Sequence, residues 1–161
     1  MHGADPGAPL SPASTPRTPG ERKVDTLATL ATAAVDVWVA TASPDGAPYL
    51  VPLSLAWVDE RVVISVDGSS RTARHLTASG RARLGVGPTR DVTMIDAAVE
   101  RSVGVDDDAA LGAAYAAQAD WDPRGSAGYR FFVLRPVRVQ AWREVDEIPG
   151  RTLMQEGRWL V

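Results

Sequence analysis

The 161-residue chain contains no cysteine and only two histidines, His2 and His75. Without thiols there is no disulfide framework and no thiolate nucleophile, and two histidines are too few for a histidine-based metal site. Basic residues do not dominate either. Seventeen Lys and Arg against twenty Asp and Glu leave a net charge of −3, which excludes a general nucleic-acid binder while leaving room for a local basic pocket. No apolar run is long enough to span a bilayer, and the first residues lack the basic-then-apolar order of a signal peptide. The expectation is a cytoplasmic protein with neither nucleic acid nor membrane as a partner. Walker and zincin motifs are missing, as is any Ser-His-Asp arrangement that the sequence identifies. No catalytic residue and no metal ligand is assigned, and an enzyme this poor in reactive side chains takes its chemistry from a cofactor.

What is present fits one domain with a real core. Residues 1–22 are mostly Pro, Gly, Ala, Ser and Thr and are expected to be a disordered tail, leaving 23–161 as the folded domain. Val24, Leu27, Leu30, Ala31 and Ala34 recur at helical spacing, with a start near Asp25 or Thr26. Residues 36–42 alternate as a strand, Ser43-Pro44-Asp45-Gly46 is a turn, and 47–57 forms the second strand of a hairpin. Pro48 and Pro52 remove two ladder donors from it, which marks an edge, a bulge or a place where a ligand replaces the neighbouring strand.

Strands follow at 62–66, 82–86, 92–99 and 129–143, the last interrupted by Pro136, with Val137, Val139 and Ala141 on one face. Asp106-Asp107-Asp108 precedes an alanine-rich helix at 109–118, where acids complement the helix dipole without any cation. Six strands joined mostly by hairpins, with a helix after the third, predict a mainly β protein. The architecture is a closed six-stranded antiparallel barrel with small flanking helices. The apolar end, Met154, Trp159, Leu160 and Val161, is expected to dock on the barrel or on a neighbouring subunit.

The stretch RVVISVDGSSRTARHLTASGRARL, residues 61–84, carries the strongest chemical signal. A short β-branched strand runs into a serine-rich turn and a helix that Ser69 or Ser70 can cap and Ser79-Gly80 can stop. That order gathers backbone N–H groups, hydroxyls and the side chains of Arg71 and Arg74 in one volume suited to a phosphate. His75 is read as a packed or surface residue rather than a base, and Trp38, Trp57 and Trp142 as core or interface aromatics.

The segments DVWVATASPDGAPYLVPLSLAW, ERVVISVDGSSRTARHL, GRARLGVGPTRDVTMID and VQAWREV, in this order over residues 24–145, resemble the flavin-binding split-barrel superfamily. This group comprises the pyridoxamine 5′-phosphate oxidase-like proteins and the flavin/deazaflavin oxidoreductases. The resemblance implies a split barrel of Greek-key topology, a homodimer, and FMN or its deazaflavin analogue F420 bound at the subunit interface for hydride transfer with a small-molecule substrate. It places Val51, Pro52, Leu53 and Ser54 along the flavin ring, and Ile64 and Ser65 against the ring and ribityl chain. Ser70, Arg71 and Thr72, with Arg74 one turn on, fall at the phosphate. Asp91, Trp142 and Arg143 would close the pocket from the neighbouring subunit.

Thr72 stands where many relatives have Lys, and residues 144–161 show no counterpart of the segment that binds pyridoxamine phosphate, so vitamin B6 oxidation is not expected. F420, with its acidic tail, would call on further cations, for which Arg61, Arg81, Arg83 and Arg90 are candidates; FMN is favoured. The alternatives are a non-enzymatic flavin- or haem-binding protein of the same fold and an empty interaction scaffold.

Overall fold

The structure, a computed structural model, describes residues 15–161. Its elements are α1 (Pro19–Leu30), β1 (Asp36–Ala42), β2 (Pro48–Ser54), β3 (Ala56–Val58), β4 (Arg61–Asp67), α2 (Arg71–Ser79), β5 (Arg81–Val86), β6 (Val92–Gly104), α3 (Ala109–Gln118) and β7 (Tyr129–Trp142). A 3₁₀ turn (Val145–Glu147), β8 (Thr152–Gln155) and β9 (Arg158–Trp159) complete the chain. All strand pairs are antiparallel, in the order β2-β1-β5-β6-β7-β4-β3, with the β8–β9 hairpin added beside β7. β4 and β5 are consecutive in the chain but not neighbours. The connection between them carries α2 across one end of the barrel, where it touches β1, β2, β4 and β5.

The strand expected at 47–57 is two strands, β2 and β3, and the break closes the barrel. Leu55 lies between them fully buried, and its N–H donates to the Val35 carbonyl at 3.0 Å instead of to a ladder. The first half therefore pairs with β1 and the second with β4. Counted as one bent strand they give the expected six barrel strands; β8 and β9 are additional, and β6 runs past its expected end at 99, with register shifts at Asp96/Ala97 and Val99/Arg101. Ile64, Leu84, Ile95 and Leu134 fill the barrel with no exposed surface, each contributing about 1.5–3 kcal/mol by burial. A second cluster lies outside it, where Tyr115 of α3 packs on Ala56, Val63, Phe131 and Val133.

The expected tail at 1–22 is corrected at its inner end. Residues 1–14 lie outside the described residues, but Thr18 caps α1 and Glu21 returns the bond to the Thr18 N–H, a capping box with Pro19 at the first helical position. The buried face of α1 is also different from the apolar spacing. Arg22, Thr26 and Leu30 face inward, whereas Val24 is 66% exposed and the helix ends before Ala34. The Arg22 guanidinium gives the reason, since its Nη1 donates to the carbonyls of Ala141 and Glu147, both at 3.2 Å. Asp108 caps α3 by accepting from the Leu111 N–H at 2.9 Å. Among the described residues no helix is long and apolar enough to cross a membrane.

Candidate functional site

β2 has β1 on one side and no strand on the other, because β3 has turned away to β4. Residues of one parity aim their main-chain groups at the same edge, and Pro48, Pro52 and Ser54 share a parity. Placed on the open edge, neither proline removes a ladder bond. The Ser54 carbonyl accepts from the Tyr115 hydroxyl at 3.3 Å, and its side chain donates to Asp120 at 2.9 Å. Val51 and Leu53 turn inward against the barrel core and Pro52 is exposed.

Ile64 of β4 is sealed in the barrel core, so only its main chain is available to a ring. Ser65, its neighbour, is 4% exposed and its hydroxyl has no hydrogen-bond partner among the described residues. An orphaned buried hydroxyl on the strand expected to meet a cofactor is what a missing polar partner would leave. Beyond β4 the chain makes the serine-rich turn. The Ser70 hydroxyl caps α2 by accepting from the Ala73 N–H at 3.1 Å, and Gly80 ends the helix at φ 67°. Ser69 is also engaged: its N–H and hydroxyl both reach Asp67 Oδ1 at 2.7 Å, which holds the Asp67 carboxyl below the ordinary aspartate range.

The Ser69 hydroxyl is therefore committed as a donor, whereas the Ser70 hydroxyl only accepts and keeps its O–H for a ligand; Thr72 is 2% exposed, leaving its main chain as the group it presents. What remains is still an anion cradle. Among the described residues the N–H groups of Arg71 and Thr72, the first two of α2, have no acceptor, and the guanidinium groups of Arg71 and Arg74 are exposed beside them. Arg74 anchors on the Ser69 carbonyl at 2.6 Å, and Arg71 lies over the Tyr49 ring at 5.6 Å. These donors fit a phosphate, with the Asp67 carboxylate offsetting part of their charge.

Asp91, Trp142 and Arg143 form a separate group. Val92 is paired with Trp142, Arg143 Nε stands 3.5 Å from Asp91, and Arg151 covers the Trp142 ring at 5.0 Å. Within one chain the cradle lies at the start of α2, the helix that precedes β5, and this group lies beyond the other end of β5, whose six residues span about 20 Å. Arg17, absent from the expected residues, organises the group: it pairs with Asp25 and Asp91 at 2.9 Å and with Glu147 at 2.8 Å. The turn carrying Asp91 depends on Gly87, at φ +87°, where an added Cβ would stand 2.7 Å from the Asp91 carbonyl. Gly87→Ala is expected to lose about 2–3 kcal/mol in a urea melt through this positive φ and the close approach.

Two further surfaces bear on the site. A cavity of about 800 Å³ opens where the β1–β5 ladder stops at Ala40 and Arg83, lined by small residues together with Arg81, Arg83 and Asp96. It is lined by none of the cradle residues, and size alone does not outweigh the charged donors at α2. Trp38 and Leu50 are 53% and 57% exposed on the adjoining strands β1 and β2, an outward apolar pair of the kind expected at an interface.

A sequence profile for pyridoxamine 5′-phosphate oxidase matches residues 25–143. No curated protein matches by sequence. Among solved structures the chain is similar to an F420 reductase, at 20% identity and TM-score 0.57, covering 68% of this chain and 92% of that one. It is also similar to a heme binding protein from Mycobacterium smegmatis, at 19% identity and TM-score 0.64, covering 88% of this chain and 59% of that longer one. A third is a pyridoxamine 5′-phosphate oxidase-related, FMN binding protein from Nostoc punctiforme, at 13% identity and TM-score 0.50, covering 76% and 78%. At these identities the likeness establishes the fold.

Proposed function

The chain belongs to the pyridoxamine 5′-phosphate oxidase family, and on that premise we propose a homodimeric oxidoreductase that holds FMN at the interface of two copies and acts on a small molecule. The observation that carries this reading is the cradle at the start of α2, where two guanidinium groups and two free N–H groups stand beside the open edge of β2. When bound there, a flavin supplies hydride transfer through its ring position N5. The chain's own residues would bind and orient it. Arg71, Arg74, the Ser70 hydroxyl and the N–H groups of Arg71 and Thr72 would hold the phosphate, and main-chain groups of 51–54 would run along the ring, with the Ser65 hydroxyl a further donor. The placement of the cradle before β5 and of Asp91, Trp142 and Arg143 beyond its other end supports a second copy as the source of the latter group.

FMN is preferred to F420 on the pairing of the remaining arginines. Arg61 is engaged by Glu100 at 2.8 Å and Arg90 by Glu144 at 2.9 Å, while Arg83 faces Asp96 at 3.4 Å. Among the described residues only Arg81 of the four candidates has no carboxylate within salt-bridge distance, which leaves little free charge for an acidic tail.

Titration with FMN and with F420, followed by visible absorbance, tests the reading. Tighter binding of FMN is expected, and no binding of either at micromolar concentration would overturn the proposal. Arg71→Ala is expected to weaken FMN binding by about 1.5–3 kcal/mol, the range of a hydrogen bond to a charged group. Assays of the FMN-loaded protein with NADH or NADPH and with quinone or enone acceptors separate an enzyme from a binding protein. Flavin held without turnover would favour the latter.

A further inference from the structure

We propose that Thr41, His75 and Tyr49 form a preorganising relay that fixes the Arg71 guanidinium for anion binding; this rests on the phosphate reading of the cradle. Four contacts close on one another. Thr41 of β1 and Tyr49 of β2 are directly opposite in the sheet register. The Thr41 hydroxyl is 2.9 Å from His75 Nδ1, and the His75 ring meets the Tyr49 ring edge-on, with centroids 6.0 Å apart and planes at 89°. The face of Tyr49 in turn carries Arg71, whose guanidinium carbon is 5.6 Å from the ring centre. Arg71 and His75 are four residues apart, hence neighbours on one face of α2.

The circuit is closed at both ends by the backbone, through the helix between 71 and 75 and through the hairpin and its ladder between 41 and 49. A side chain held this way has few ways to move. The contrast with its neighbour is informative. Arg74 is fixed by a hydrogen bond to the Ser69 carbonyl, which occupies one of its donors. Arg71 is fixed by a ring face, and among the described residues no acceptor takes any of its guanidinium donors. Cation–π contact thus orders the cation while leaving its hydrogen-bonding capacity for a ligand. A free arginine loses considerable rotamer entropy on binding an anion, and prior ordering removes part of that loss. Tyr49, His75 and Thr41 act through Arg71 and are positioning residues.

Two measurements separate this inference from the FMN reading. The first needs no ligand: the NMR order parameter of the Arg71 Nε–H in the free protein, compared with that of exposed Arg158. Arg71 is expected to be the more ordered, to loosen in Tyr49→Leu and to stay ordered in Tyr49→Phe. Equal mobility of Arg71 and Arg158 in the unaltered protein would overturn the relay whatever FMN does. The second is the FMN dissociation constant. Tyr49→Leu is expected to weaken it about five- to tenfold and Tyr49→Phe to retain it within about twofold, while Tyr49→Leu has little effect on top of Arg71→Ala. Full additivity of the Tyr49→Leu and Arg71→Ala losses would sink the proposal. An ordered Arg71 in a protein that binds no FMN would leave the relay standing and remove the cofactor reading instead.

Discussion

Glu147→Ala is expected to lower the unfolding free energy by about 3–5 kcal/mol, because it removes one side of a buried ion pair and leaves the other uncompensated. Glu147 is 3% exposed. Its carboxylate accepts from the Arg17 N–H at 2.7 Å, from Arg17 Nη2 at 2.8 Å and from the Arg143 N–H at 2.7 Å. Truncation strands those donors together. Arg17 would keep only Asp25 and Asp91, both more exposed, and the two main-chain N–H groups would lose their acceptor. The measurement is a urea melt, read as a fall in midpoint at unchanged slope. Glu147→Gln, which keeps the shape and one acceptor oxygen, is expected to lose less.

The same residue gives an acid signature. Hydrogen bonding from the Arg17 side chain holds the Glu147 carboxyl down to about 2, against an ordinary value of 4.5. A carboxyl depressed in the folded state contributes its full stability above its unfolded value and loses it as pH falls through the folded one. The window is therefore pH 4.5 down to about 2, and the gap corresponds to roughly 3 kcal/mol. Glu147→Gln should flatten that limb of the stability profile. A variant whose profile between those pH values parallels the unaltered protein would show that the pair does not form in solution.

Tyr115→Ala carries the second large loss, about 3–5 kcal/mol, the range for removing a fully buried aromatic ring. Tyr115 has no exposed surface and joins α3 to the outer face of the barrel, with Phe131 at 5.2 Å and Trp121 at 6.4 Å between ring centres. Tyr115→Phe keeps the ring and gives up the hydroxyl's bond to the Ser54 carbonyl, for which about 1 kcal/mol is expected. Comparison of the two variants in the same melt separates packing from hydrogen bonding. Near-equal losses would mean that the ring is not what holds α3. Burial pushes the Tyr115 hydroxyl up to about 12 from 10.0, so its stabilising contribution is complete below pH 10 and lost as pH rises toward 12. Tyr115→Phe should be the less alkali-sensitive protein.

Much of this molecule was legible one segment at a time. The alternation in 36–42, the Ser-Pro-Asp-Gly turn and the β-branched run at 62–66 each report a conformation decided within a few residues, and the strands lie where those patterns put them. A serine cap for α2 at 69 or 70 and an acidic start to α3 were legible for the same reason, and the residues that do the capping are Ser70 and Asp108. The start of α1 was also written in the chain, as Thr18-Pro19-Gly20-Glu21, a capping box with proline at the first helical position. Its Pro and Gly matched the composition of the tail, which hid it. The inward face of α1 could not have been read from apolar spacing, because Arg22 and Thr26 occupy it and their partners, Ala141, Glu147 and Thr93, are 67 or more residues away.

By itself the sequence determined the order of the six barrel strands and three helices, the serine-rich turn with its two arginines, and the absence of thiols. Tertiary structure alone decided that the second strand breaks at Leu55 to close the barrel, that the Ser69 hydroxyl is committed to Asp67, and that Arg71 rests on Tyr49 while Arg61 and Arg90 face carboxylates. The division is physical. Caps, turns and periodicity arise from steric and hydrogen-bonding terms that act between near neighbours in the chain. Which cation stays free for a ligand depends on carboxylates and rings that only the folded topology brings within reach.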